Sequence, residues 1–211
     1  MSKRILLVDD HSVVRQGLKQ ILGRAVAGAV FAEAASGEEA VGMVAAAPWD
    51  MVILDVSLPG KSGLDTLKEL RHARPRLPVL MLSMYAEDQF AVRALRAGAV
   101  GYVTKKTAAA ELAGAVRSVL AGRRYVSPSL AERLAGEISL APGRAPHELL
   151  SDREFQVFQL LASGRSVTAS AAALGLSVPT VSTYRARVLE KMGLTENHQL
   201  VQYAAVHGLA E

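Results

Sequence analysis

Across residues 1–121, short apolar runs alternate with segments of helical periodicity, and the alternation repeats five times. Ile5 to Val8 is followed by Val14, Leu18, Ile21 and Leu22 at i, i+4, i+7 and i+8, which reads as strand and then helix. An apolar segment at 29–32 precedes a helix over 37–47, and Met51 to Leu54 precedes a helix starting near Gly63. Val79 to Leu82 leads into a helix through Phe90, Ala94 and Leu95, and Gly101 to Val103 into one carrying Leu112, Val116, Val119 and Leu120. Strands that are apolar on both faces must be covered on both. The expected fold class is therefore α/β, a doubly wound five-stranded parallel sheet between layers of helices. Ligands of such sheets bind beyond the carboxyl ends of the strands.

The pattern breaks over 122–147, where Gly122, Pro128, Pro142, Gly143 and Pro146 surround a single predicted short helix, 129–138. From 148 to 211 no strand pattern appears, and four helices are predicted near 152–163, 167–174, 178–191 and 196–206, a small all-α domain. Ser151 with Glu154 forms a capping box and Leu150 with Phe155 a hydrophobic staple. Ser177 and Pro179 suit the start of the third helix and Gly193 its end. The expected division is thus a first domain at 1–121, a linker at 122–147 and a second domain at 148–211.

Half of the 211 residues are apolar and 21% are charged, enough for two real cores. There is no Cys, which excludes disulfides and thiolate metal sites and suits a reducing cytoplasm. Asp9 and Asp10 stop the apolar run after Lys3 and Arg4 far short of a signal sequence. No stretch approaches the roughly 20 apolar residues of a membrane helix, so no membrane association is expected. The net charge of +4 suggests an anionic partner, but from Glu148 onward five basic residues face six acidic ones. Nucleic-acid binding must be argued from placement.

The informative polar residues stand at the ends of predicted strands, which parallel topology gathers on one edge. They are Asp9 and Asp10 after the first strand, Asp55 after the third, Ser83 ending the fourth and Lys105 after the fifth. Each alone has a plain explanation: a helix cap, a turn with Pro59 and Gly60, a strand end, a solvated lysine. Together they demand more. Three converging carboxylates repel one another unless protonated or matched by cations, and oxygen ligands of this kind favour Mg²⁺, with Lys105 as a second positive charge. A carboxylate nucleophile, a divalent cation, an ammonium and the Ser83 hydroxyl are the equipment of phosphoryl transfer onto Asp.

Asp9-Asp10, Asp55 with Leu58-Pro59-Gly60-Lys61-Ser62-Gly63, Ser83, and Gly101-Tyr102-Val103-Thr104-Lys105 resemble the receiver domain of response regulators, a flavodoxin-like fold, over the first 121 residues. The resemblance implies Asp55 as phosphoacceptor, Asp10, Asp55 and the Ser57 backbone carbonyl as Mg²⁺ ligands, and Asp9 acting through water. It implies Ser83 and Lys105 on the phosphoryl oxygens and Tyr102 as the aromatic that turns inward on activation; its plain alternative is a half-buried edge-strand tyrosine. Lys106 stands where many receivers have Pro. A flavodoxin-like flavin site is excluded, because Asp9 and Asp10 would repel a phosphate where such a site needs N–H donors. A haloacid-dehalogenase-like phosphatase needs an acid two residues after the nucleophile, and Ser57 is there. An enzyme with its own turnover is not expected.

On the third C-terminal helix Val181, Tyr184, Val188 and Met192 form one stripe, with Leu189 beside it. The opposite face presents Ser182, Thr183, Ala186, Arg187, Glu190 and Lys191, short side chains for base edges with cations for phosphates. An ordinary amphipathic surface helix has the same look. The surrounding Leu150-Ser151-Asp152-Arg153-Glu154, Leu174-Gly175-Leu176-Ser177, Thr180 to Tyr184 and Lys191-Met192-Gly193-Leu194 resemble the LuxR-type helix-turn-helix, and receiver followed by this module is the order of the NarL/FixJ family. By that resemblance Ser182, Thr183 and Ala186 lie nearest the bases of double-stranded DNA, with Arg185, Arg187 and Lys191 toward phosphates. Thr168-Ala169-Ser170-Ala171 departs from the family's Lys-Glu-Ile-Ala, removing a polar tie at Ala169 and core packing at Ser170. Pro179 replaces a common phosphate-contacting Lys. Few phosphate contacts and a shallow salt dependence follow.

The function expected is a phosphorylation-controlled transcriptional regulator that accepts a phosphoryl group from a sensor histidine kinase on Asp55 and binds DNA as a homodimer. The alternative is a phosphate sink or adaptor whose C-terminal domain binds protein.

Overall fold

The structure, a computed structural model, describes residues 2–84, 87–106, 109–132 and 145–209, with the side chains of 87–89 left aside. The chain divides into two compact units, 1–138 and 139–211.

In the first unit, strands β1 (Arg4–Val8), β2 (Val30–Ala34), β3 (Met51–Asp55), β4 (Val79–Ser83) and β5 (Gly101–Thr104) form one sheet in the order β2-β1-β3-β4-β5. All pairings are parallel. Five helices alternate with them: α1 (Ser12–Ala25), α2 (Gly37–Ala46), α3 (Gly63–Ala73), α4 (Glu87–Arg96) and α5 (Ala109–Leu120). The expected doubly wound sheet is therefore present. Ile5, Leu7, Ile53, Leu80, Leu82 and Val103 pack on Leu18 and Leu22 of α1 and on Leu112, Val116 and Val119 of α5. The alternate residues Leu6, Val52, Leu54, Met81 and Tyr102, buried as well, point to the opposite face, because successive strand side chains alternate. Burying each aliphatic side chain contributes ~1.5–3 kcal/mol, which is why both faces must be apolar.

The chain reverses direction across the sheet between β1 and β3, and register fixes what meets there. Val8 lies opposite Leu54, so Asp9 and Asp55 follow side by side; Asp55 lies opposite Leu82, so Ser83 is one step beyond. At Gly63, the start of α3, a Cβ would stand 1.9 Å from the Asp55 backbone oxygen. Only glycine lets the helix begin that close to the end of β3.

Residues 122–132, assigned to the linker by composition, hold Tyr125, whose N–H donates to Val100 O at 2.9 Å and whose hydroxyl donates to Glu111 at 2.6 Å. Leu130 is fully buried in a helical stretch that begins at 128. The remainder of the predicted helix 129–138, from 133 on, lies outside the described residues.

Among the described residues the second unit begins with a 3₁₀ turn (Pro146–Leu149), outside the predicted helices, followed by α6 (Asp152–Ala162), α7 (Val167–Leu174), α8 (Val178–Met192) and α9 (Asn197–Val206). The Ser151–Glu154 capping box starts α6. Leu150 and Phe155 are both buried, as a staple requires. Phe155, Phe158 and Tyr203 form an aromatic core, Phe158 meeting Tyr203 edge-on at 6.2 Å. Val181, Val188, Leu189 and Met192 of α8 are buried as the stripe predicts, with Tyr184 half-buried. Gly193 ends α8 at φ +66°, a left-handed cap. Among the described residues no helix is long and apolar enough to cross a membrane.

Candidate functional site

The strand-end residues converge. Asp9 and Asp55 are each 1% exposed, with Lys105 Nζ between them, 2.7 Å from Asp9 Oδ2 and 2.8 Å from Asp55 Oδ2. The Asp55 contact is a hydrogen bond, whereas the Asp9 contact has the distance of an ion pair without hydrogen-bonding angles. Asp10 is more open, its side chain 32% exposed. Ser83, the last residue of β4, is fully buried, and its carbonyl accepts the Lys105 N–H at 2.6 Å, which ties β5 to β4 beside Asp55. Ser57 is half-buried in the loop after β3, and the Lys105–Lys106 peptide is trans. Tyr102 is fully buried on the edge strand β5, so the half-buried alternative does not hold.

Burial pushes the Asp55 carboxyl above its usual range and the Asp9 charge adds to this, against the pull of Lys105. For Lys105 burial opposes the charge, but Asp55 and Asp9 outweigh it and hold the ammonium above its ordinary value. Asp55 Oδ1 is buried with no hydrogen-bond donor. With three carboxylates against one ammonium, the edge retains excess negative charge, and its donors are hard oxygens. That set fits a divalent cation such as Mg²⁺. One ligand atom from each of Asp9, Asp10, His11 and Asp55 lies within 4.8 Å of the others.

Sequence reasoning overlooked three neighbours. His11 Nδ1 lies beside Asp9 and Asp10. Arg15 of α1 donates from Nη1 to the Asp9 carbonyl and from Nε to Glu33 Oε2 at 2.7 Å. Lys19 also donates to Glu33, and Lys19 foremost and Arg15 next hold the Glu33 carboxyl below its usual value. Arg15 so fastens the backbone of the acidic loop. The available signal was spacing, since Arg15 follows His11 by one helical turn.

On α8, Ser182, Thr183, Ala186 and Arg187 are exposed as expected, though Thr183 Oγ1 donates back to Pro179 O at 3.0 Å. Among the described residues Arg187 has no ion pair or hydrogen-bond partner for its side chain. The other two cations are engaged inside the unit. Arg185 Nε donates to Asn197 Oδ1 at 2.6 Å, tying α8 to the start of α9. Lys191 Nζ donates to Glu154 Oε2 at 2.6 Å, the same oxygen that accepts the Ser151 N–H in the capping box. Ala169 is exposed, while Ser170 is fully buried with an unpartnered Oγ.

Residues 5–117 match the model of the response regulator receiver domain, and residues 148–204 that of the luxR family of bacterial regulatory proteins. The chain belongs to the LuxR-type response regulators, transcriptional regulators in which a receiver precedes a helix-turn-helix module. The response regulator GacA of Pseudomonas viridiflava is 37% identical over 210 residues, 99% of this chain and 98% of that protein. UvrY of Escherichia coli strain K12, also a response regulator, is 34% identical over 206 residues, 97% of this chain and 94% of that protein. A two-component response regulator of the LuxR family from Aurantimonas sp. SI85-9A1 has a crystal structure similar to this one, with a TM-score of 0.61 and 38% identity, covering 66% of this chain and all of that one.

Proposed function

We propose that the protein is switched by phosphorylation of Asp55 by a sensor histidine kinase, and that the phosphorylated chain binds paired DNA half-sites as a homodimer in the cytoplasm. The observation that carries this is Asp55 Oδ1, a buried carboxylate oxygen with no donor, beside Lys105 and two further carboxylates. In this reading the Asp55 carboxylate attacks the phosphorus of a phosphohistidine; the new O–P bond replaces the P–N bond, and the imidazole leaves with a proton. Lys105 and Ser83 hold phosphoryl oxygens. Asp10, Asp55 and the Ser57 carbonyl would hold Mg²⁺ and Asp9 its water, the ion supplying charge neutralisation for the phosphoryl group. Phosphorylation adds about −1.5 to −2 of charge, and Tyr102 carries the change toward the sheet edge. It has no small-molecule turnover of its own.

Residues 1–121 carry the switch, 122–147 the connection, its first part anchored on the receiver through Tyr125, and 148–211 the DNA-binding module. Ser182, Thr183 and Ala186 face base edges and Arg187 a phosphate; Arg185 and Lys191 reach phosphates only by leaving Asn197 and Glu154. A promoter-library footprint with wild type, with and without acetyl phosphate, and with Asp55→Ala tests the proposal. Protection that strengthens with acetyl phosphate in wild type alone is expected. Identical footprints in every condition mean binding without phosphorylation control, and no protection anywhere favours an adaptor that binds protein.

A further inference from the structure

The residue after the acidic pair has no part in the reading above. His11 occupies the N-cap position of α1, where Ser, Thr, Asp or Asn would accept an N–H of the first turn, yet its ring caps nothing. The ring is turned to the carboxylates instead: Nδ1 stands 2.9 Å from Asp10 Oδ1 and 3.2 Å from Asp9 Oδ1. Asp9 Oδ1 already accepts the His11 backbone N–H at 2.8 Å. With a proton on Nδ1 the ring hydrogen-bonds Asp9 Oδ1 and pairs with Asp10; without it, the same nitrogen is a lone-pair donor held beside both carboxylates. Neighbouring ligands of an octahedral cation with bonds of ~2.1 Å stand about 3 Å apart, and the two Nδ1–oxygen separations bracket that spacing. The side chain is 66% exposed, free to settle on a cation without disturbing the core.

We propose that His11 is a nitrogen ligand in the coordination sphere built on Asp10 and Asp55, and that it biases this site from Mg²⁺ toward first-row cations that accept imidazole, Mn²⁺ among them. The inference rests on the metal-site reading above. Hard Mg²⁺ takes oxygen and keeps its waters, whereas imidazole suits the borderline divalent metals, so one nitrogen among carboxylates changes the ranking of cations. His11 thereby sets which cation accompanies Asp55, without itself touching the phosphoryl group.

Pulsed EPR of the full-length protein loaded with Mn²⁺ alone tests this, because a directly bound ¹⁴N modulates the electron spin echo. Nitrogen modulation is expected in wild type and lost in His11→Ala and His11→Asn, the second restoring a good N-cap so that the start of α1 is kept. Mg²⁺ should displace Mn²⁺ about tenfold more readily from both variants. Asp55→Asn identifies the signal that belongs to this site. Mn²⁺ bound there without nitrogen modulation, and with unchanged Mg²⁺ competition in the variants, overturns the inference and leaves the oxygen site standing. If wild type binds no Mn²⁺ that Asp55→Asn abolishes, the metal-site reading falls with it.

Discussion

Lys105 and Lys191 make contacts of nearly equal length in different surroundings. Lys105 Nζ stands 2.7 and 2.8 Å from two carboxylates with its side chain 9% exposed, while Lys191 Nζ stands 2.6 Å from Glu154 with 41% exposed. In the buried setting each charge has lost its water, the attraction is weakly screened, and the arrangement persists although its desolvation costs stability. At the second pair Glu154 is buried, its side chain 4% exposed, while the ammonium stays partly open to solvent, so a phosphate can compete for it. Distance alone therefore does not say what an ion pair is for. Burial and the charges left over do: Glu154 is balanced by its partner, whereas the Asp55 edge keeps an unpartnered oxygen.

Removing each cation sharpens the contrast. Lys105→Ala should slow phosphoryl uptake from acetyl phosphate by on the order of 100-fold or more, followed by phosphate-affinity electrophoresis, because no other described cation lies between Asp9 and Asp55. A smaller effect is expected at the second pair. For Glu154, burial opposes ionisation, but Lys191 and the Ser151 N–H prevail and hold its carboxyl below the usual carboxylate value. Its stabilisation is thus complete above the unfolded value and lost as pH falls through the lowered folded one. Urea denaturation should show stability falling below about pH 4.5 with part of that fall absent in Glu154→Gln, which costs ~1 kcal/mol at pH 7. The least change is expected in DNA binding. Arg187→Ala should reduce the slope of log affinity against log salt by ~1 and Lys191→Ala by clearly less, since its ammonium already serves Glu154. Equal reductions would show that the Glu154 pair opens on DNA.

The receiver edge was legible because the backbone decides it: five apolar runs set the sheet, and parallel strands bring their ends together whatever the side chains do. Asp9, Asp55 and Ser83 could be placed one step past an apolar run, and Lys105 two steps past. The recognition helix was legible only to the level of its faces. Periodicity located Val181, Val188 and Met192 inside and Arg187 outside, but it carries no information on where a long side chain ends. Periodicity therefore could not show that Arg185 and Lys191 are held within the unit by Asn197 and Glu154, 12 and 37 residues away in sequence. His11 was missed for a related reason, since neither periodicity nor composition says where a ring at a helix start turns, and the unused cap is visible only in the structure. Tyr125 and Leu130 fell in a stretch rich in Gly and Pro, where composition masked one bridge to Gly101 and one buried leucine.

The account depends most on Asp55 as the phosphoryl acceptor. Incubating the full-length protein with acetyl phosphate and Mg²⁺, reducing the acyl phosphate with borohydride and mapping the modified peptide by mass spectrometry tests that directly. The account predicts a single modified residue, Asp55, converted to homoserine and absent from Asp55→Asn. Modification at Asp9 or Asp10 instead, or none in wild type while the protein is folded and binds its cation, would contradict it.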